Sequence, residues 1–294
     1  MTPRRHLTHL SNKEPPVPEL PELETIRKQL DKEVVGRRVK SVEATSMAAL
    51  ERHSNKKQFV ELLEGVKFKS LNRKGPYYVF NLDSSNVLVV SVGSTGMLRK
   101  VATKEEKEKH THITITFTQG GDLRLIDPKK KAQMFVTASD ELADALPALA
   151  ELGLDAVDAP VSWTDFARMI VNQKMKLKAF LTDDSLIVGL GPVYSDEVLY
   201  QAGLRYDRST DSLSTQEIRR LYRSLVETLH DGIKYQGTTL PEVPYEDLHG
   251  KPGGFQEYLE AFGRDGEACH RCRGVIAKTK FAGRNLYFCP DCQV

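Results

Sequence analysis

From Pro21 onward, apolar residues recur at helical spacing: Leu23, Ile26, Leu30 and Val34, with Gly36 placed to end the run. Pro21 suits the first turn of such a helix, where its missing N–H removes no hydrogen bond. Strand texture follows. Residues 77–82 and 87–92 are short runs rich in β-branched and aromatic side chains, and 112–117 alternate between polar and apolar. Asp83-Ser84-Ser85-Asn86 and Gly120-Gly121 supply turns between such runs. The pattern predicts a β-rich sandwich or barrel led by one helix. From about Ala138 the texture becomes helical. Ser214 and Glu217 form a capping box, flanked by Leu213 and Ile218 as a hydrophobic staple. Ile218, Leu221, Leu225, Leu229 and Ile233 then trace one helical face that stops before Gly237. Two further helices are expected around the turn at 189–191. Residues 241–255, with Pro241, Pro244, Pro252, Gly253 and Gly254, read as a linker. Residues 1–16 show no periodic apolar pattern and read as a tail.

Composition agrees with a folded chain: 294 residues, 40% hydrophobic and 28% charged, with no low-complexity run. No apolar stretch approaches the roughly 18–20 residues of a membrane span, and no apolar signal region opens the chain. A cytosolic protein is expected, nucleoid-associated if its partner is DNA. Net charge is only +2, so the distribution of charge says more than the total. Arg273, Lys278, Lys280 and Arg284 fall in a segment without an acid, and Lys129, Lys130 and Lys131 form a second cluster. Each patch suits a phosphate footprint or a solvated surface.

All four cysteines lie at the C-terminal end, as Cys269-His270-Arg271-Cys272 and Cys289-Pro290-Asp291-Cys292. Two C-x-x-C knuckles separated by a hairpin-sized segment have the spacing of a tetrahedral thiolate zinc site. Four thiolates leave no open coordination position, so the expected ion is a single structural Zn2+ that supplies folding energy to a ribbon too small to fold alone.

Pro18-Glu19-Leu20-Pro21-Glu22-Leu23-Glu24-Thr25-Ile26-Arg27 taken alone is a Pro-rich lead into a helix with acids in its first turn. Together with the zinc ribbon it resembles the N-terminal signature of the formamidopyrimidine-DNA glycosylase/endonuclease VIII family. The similarity continues through Gly189-Leu190-Gly191-Pro192-Val193-Tyr194, through Gln236-Gly237-Thr238-Thr239-Leu240, and through the entry and exit of the cysteine ribbon. The resemblance implies an α+β chain of several parts: a β-sandwich with a leading helix (18–137), a helix–two-turn–helix domain (138–255) and a zinc finger (256–294). Residues 1–17 are then a tail or a mis-assigned start. It implies a partner, double-stranded DNA carrying damaged bases or abasic sites, and a monomer is expected. It also implies a reaction in base-excision repair. A damaged base is flipped from the duplex, a proline amine attacks the sugar carbon to form a Schiff base, and elimination nicks the strand. Carried over residue by residue, Pro18 is the nucleophile, Glu19 the general acid/base, Glu22 a supporting acid and Arg284 a phosphate contact. Lys129, Lys130, Lys278 and Lys280 are further DNA-binding candidates.

The sequence departs from that pattern in places. As printed, Pro18 is internal, and a tertiary amide nitrogen has no usable lone pair. Val17 as the true start, read as methionine and removed, would free the amine. Pro76 stands where the family has a lysine, and Lys74 is expected to replace it as a catalytic and phosphate-binding group if 74 and 76 share a strand face. Ser94 and Lys131 stand at positions of the wedges that fill the vacated stack, and Pro192 replaces a donor to phosphate. Two other readings therefore stand beside the glycosylase/lyase: a family member that holds damaged or abasic DNA without cutting it, and a zinc-ribbon protein acting through protein contacts.

Overall fold

The computed structural model describes residues 17–158 and 162–294; the tail read at 1–16 lies outside them. Helix α1 (Leu20–Val34) starts as its apolar stripe predicts, with Pro21 in the first turn and Leu23, Ile26, Leu30 and Val34 buried. After it come β1 (Val39–Ala44) and α2 (Lys56–Leu63), the latter capped by the Asn55 side chain accepting from the Gln58 amide at 2.9 Å. Strands β2 (Phe68–Lys74), β3 (Tyr77–Leu82), β4 (Asn86–Ser91), β5 (Met97–Val101), β6 (Thr111–Phe117), β7 (Asp122–Ile126) and β8 (Gln133–Ala138) complete this part. They form two antiparallel four-stranded sheets, ordered β1-β6-β7-β5 and β2-β3-β4-β8. Phe80, Leu88 and Val90 from one sheet meet Ile113, Ile115 and Leu125 from the other, with α1 and α2 closing the same core. This is a sandwich. Its second sheet is also covered outside, where Val79, Val87, Val89 and Phe135 pack against Leu146, just after the short α3 (Leu142–Ala145). Burial on both faces accounts for the unbroken apolar run at 87–90.

The remaining helices are α4 (Trp163–Val171), α5 (Leu177–Leu181), α6 (Pro192–Ala202) and α7 (Thr215–Lys234). Both halves of the predicted Ser214/Glu217 box are present at the start of α7, and its predicted face buries Ile218, Leu221, Leu225 and Leu229 while Ile233 is half-buried. A C-terminal hairpin of β9 (Ala277–Phe281) and β10 (Arg284–Phe288) packs on α6.

Two expectations change. Residues 241–255 are no free linker: Tyr245 and Leu248 enter the sandwich core, while Val243 and Phe255 enter the helical core. Proline and glycine set the bends here, and the apolar residues between them bind the two cores together. The second change concerns Lys74. Lys74 pairs with Tyr77, so the chain reverses through Gly75, at φ +55°, and Pro76. No single strand carries both 74 and 76, and the shared face does not exist.

Candidate active site

A cleft of about 550 Å3 lies where six segments converge: the lead into α1, the β2–β3 turn, the end of β4 with the loop after it, α5 with the residues after it, the loop entering α6, and the β9–β10 turn. Pro18, Glu19, Pro76, Gly93, Gly191, Pro192 and Arg284 all line it. Residues far apart in the chain are thus brought to one hollow, and Pro18, Glu19 and Arg284 among the predicted site residues meet there.

Glu19 is the N-cap of α1, and its side chain turns away to the start of another helix. Its carboxylate accepts from the amides of Gly191 at 2.7 Å, Val193 at 2.9 Å and Tyr194 at 3.2 Å. Pro192, at the first position of α6, has no amide to offer, and the donors on either side of it do the work. These are the orphan N–H groups at the positive end of α6. A side chain at 191 would not fit, because its Cβ would stand 2.6 Å from the Glu19 carboxyl carbon. Burial raises the Glu19 pKa to about 7, against the three amides and the nearby Lys178 charge, which lower it. A carboxyl titrating near neutrality can both give and take a proton at working pH.

Glu22 sits one turn further along α1, behind Glu19 and outside the cleft lining. Its Oε1 accepts from the Tyr194 hydroxyl at 2.8 Å and the Thr238 amide at 2.7 Å, while its buried Oε2 has no partner among the described residues. Burial, and then the Glu19 charge, push its pKa up to about 8. A buried oxygen with no donor to it disfavours the charged form, in line with a neutral carboxyl. Gly237, at φ +87°, lets the chain pass Glu22, since a Cβ there would lie 2.9 Å from its Cγ. Because the native Glu22 holds a proton that the unfolded chain releases above about 4.5, its contribution to stability falls as pH rises from there to about 8. Glu22→Gln keeps an oxygen for the two donors and places an amide where the proton was. Thermal unfolding with zinc in excess should therefore show a shallower loss of Tm with rising pH in the variant than in the parent; equal slopes would contradict a protonated Glu22.

The structure adds groups that the sequence left unremarked. Lys178 is buried at the cleft wall, donating to Ser195 Oγ at 2.6 Å and the Pro192 carbonyl at 3.2 Å and pairing with Asp196. The other Asp196 oxygen accepts from the Tyr287 amide at 2.8 Å, tying α6 to the C-terminal hairpin. Asp196 is raised to about 6 by burial, with Lys178 opposing. A lysine inside the apolar run 177–181 was the available signal, since a buried ammonium demands a partner.

Other predicted residues lie elsewhere. Lys74 is exposed and pairs with Asp158 at 3.5 Å, outside the cleft lining. Lys129 and Lys130 sit exposed on the β7–β8 loop, which is pinned by Asp127 accepting from Thr95 Oγ1 at 2.6 Å and from the Lys129 amide at 3.1 Å. That loop touches the cleft rim, because a Cβ on Gly93 would meet the Lys131 carbonyl at 2.8 Å. Lys278 leans over the Tyr287 ring, 5.2 Å from its centre, and reaches Asp265 at 3.8 Å. Lys280 is exposed on β9, and Arg284 alone of the predicted hairpin cations lines the cleft.

The four predicted cysteines converge, their sulfurs all within 4.8 Å of one another. The Cys269–Cys292 and Cys272–Cys289 sulfur separations of 3.8 and 3.5 Å are near the ~3.8 Å edge of a tetrahedron built on ~2.3 Å Zn–S bonds, and far from the ~2 Å of a disulfide. Amides of Gly274 and Cys292 donate to the Cys272 and Cys289 sulfurs, each at 3.4 Å, as suits thiolates. The donor set fits one zinc ion with no open position.

Comparison with known proteins agrees along the chain. Residues 17–134 match the formamidopyrimidine-DNA glycosylase N-terminal domain, 152–242 the formamidopyrimidine-DNA glycosylase H2TH domain, and 266–294 a zinc finger found in FPG and IleRS. The formamidopyrimidine-DNA glycosylase of Desulfitobacterium hafniense is 34% identical over 278 residues, covering 95% of this chain and 100% of the relative. That of Heliobacterium modesticaldum is 36% identical over 280 residues, 94% of this chain and 100% of the relative. Among solved structures, Lactococcus lactis Fpg in complex with DNA containing an abasic site superposes with a TM-score of 0.83 at 30% identity, over 94% of this chain and 99% of that one. A variant of it bound to DNA containing Fapy-dG gives the same score, identity and coverage. The cysteine cluster is a structural zinc site.

Proposed function

The chain belongs to the formamidopyrimidine-DNA glycosylase family, and from that premise we propose that it excises damaged bases from duplex DNA and nicks the strand at the abasic site through the Pro18 amine. One observation carries the reading. Pro18, a carboxyl poised near pH 7 at Glu19, and Arg284 converge on one cleft although they lie at opposite ends of the sequence. In this reading the free Pro18 amine adds to the sugar carbon while Glu19 shuttles the protons that the addition and the departing base require. Glu22, neutral behind it, raises no second negative charge. Arg284 takes a phosphate beside the lesion and holds the extruded sugar at the cleft mouth. Lys129 and Lys130 flank that mouth as candidate backbone contacts, Lys280 extends the same hairpin, and Lys74 and Lys278, each paired with an acid, contribute less. The family match starts at residue 17 and takes in the full length of the relatives, which supports Val17 as the start that would expose Pro18. Every group invoked comes from one chain, so a monomer suffices. No helix among the described residues is long and apolar enough to cross a membrane, and the proposed site of action is DNA inside the cell.

Glu19→Gln tests the proton-transfer role. The amide keeps the side chain's size but titrates no proton and turns an N–H2 toward amide donors. In a nicking assay on duplexes containing an oxidised purine, the variant should be slower by about 10²–10⁴. A rate within about tenfold of the parent, from a protein with unaltered circular dichroism, would remove Glu19 from the mechanism.

A further inference from the structure

Helices α1 and α7 also border a second, open groove of about 570 Å3, which shares no lining residue with the cleft. On α1 it is lined by Thr25, Lys28, Gln29 and Lys32, which repeat at helical spacing on the side turned away from the sandwich core. On α7, Val226, Leu229 and Ile233 supply an apolar floor, continued by Ala156 and Val157, while His230 and Lys234 stand on the rim. No acid lines it. Lys28 and Lys32 are exposed and have no ion-pair partner among the described residues, and Val226 keeps 38% of its surface open on a helix whose other apolar face is buried.

We propose that this groove docks an acidic amphipathic helix of a partner protein. The groove runs over the seam where α1 and α7 pack together, and its aliphatic floor and basic rims are complementary to a helix laid along it with leucine-like anchors on one face and carboxylates along its flanks. Nucleic acid fits less well. The lysines alone could meet phosphates, but a phosphate backbone laid here would leave the aliphatic floor of Val226, Leu229, Ile233, Ala156 and Val157 facing charge. The chain's own first 16 residues have the wrong sign, carrying Arg4, Arg5 and Lys13 against a single acid, Glu14. With its own walls, the groove remains available while DNA occupies the cleft, which suits recruitment to a site of repair.

The test uses the zinc-loaded full chain and a labelled helical peptide of about four turns, with leucines at i, i+3, i+4 and i+7 and glutamates elsewhere. Anisotropy should show saturable binding, unchanged by an abasic duplex. The double variant Lys28→Glu/Lys32→Glu and the single variant Val226→Asp, all at exposed positions, should each weaken it by about tenfold or more. Duplex affinity should stay as in the parent. No saturation by about 1 mM, undiminished binding in both variants, equal binding of the same peptide with lysine in place of glutamate, or tighter binding of a single-stranded oligonucleotide in the groove would each overturn the proposal.

Discussion

A polypeptide that begins at Pro18 is expected to be trapped covalently on abasic duplex DNA by borohydride, and the polypeptide that begins at Met1 is expected to give no adduct. The difference is all or none because it rests on bonding. In the longer chain the Pro18 nitrogen is part of an amide, its lone pair delocalised into the Val17 carbonyl. In the shorter chain it is a secondary amine with a pKa near ~8, partly unprotonated at neutral pH. The amine adds to the opened sugar aldehyde and water leaves, giving an iminium ion that borohydride reduces to a stable amine. Competing amines are poorly placed: Lys178 is buried in its pair with Asp196, and Lys74 is held by Asp158 outside the cleft. An adduct formed by the Met1 chain would transfer the chemistry to another amine, a lysine or the chain's own first residue. Absence of an adduct from both chains, with binding intact, would leave a protein that holds damaged DNA without cutting it.

What local chemistry dictates could be read directly from the residues. The α1 stripe, the Ser214/Glu217 box, the glycine turn at 120–121 and the cysteine knuckles each depend on neighbours a few residues apart, and each stands where it was expected. The proton chemistry of the site was not legible in that way. Glu19 titrates near neutrality because folding buries it against helix α6, some 170 positions along the chain, whose first amides only partly offset that burial, and nothing in residues 18–27 encodes the meeting. The Lys178–Asp196–Tyr287 connection is hidden for the same reason, being an agreement between three separate segments. Lys74 illustrates a different failure. Gly75-Pro76 is turn chemistry visible in the sequence, and treating 74–76 as continuous strand ignored it. The departures at Ser94, Lys131 and Pro192 remain physical facts of the cleft's neighbourhood. In the proposed reaction, where the resemblance places wedges at 94 and 131, extrusion of a paired base is the step these residues burden, and an already vacant abasic site is spared it.

Stripping the zinc is expected to cost the protein its DNA grip without unfolding its sandwich. Zinc ribbons draw about 10–16 kcal/mol of apparent folding free energy from the metal, far more than a two-stranded hairpin supplies for itself. The ribbon is fastened to the helical part by, among other contacts, the Asp196–Tyr287 bond, the Tyr206–Phe288 ring pair at 5.1 Å, and Arg271 and Gln293 donating to the Tyr200 and Leu204 carbonyls at 2.8 and 2.9 Å. These contacts orient the ribbon, while the metal supplies the folding free energy that a two-stranded hairpin lacks. Chelation, or Cys289→Ser, should therefore disorder roughly the last 30 residues while the sandwich strands, whose core is separate, keep their circular dichroism. Arg284 then leaves the cleft and Lys280 its strand, and affinity for an abasic duplex should fall by about two orders of magnitude, with the salt slope flattened by about two. Arg284→Ala with zinc in place removes one contact and should flatten the slope by only about one. If the chelated protein kept both its affinity and its salt dependence, the ribbon would not lie on DNA, and its basic hairpin would be a solvated surface.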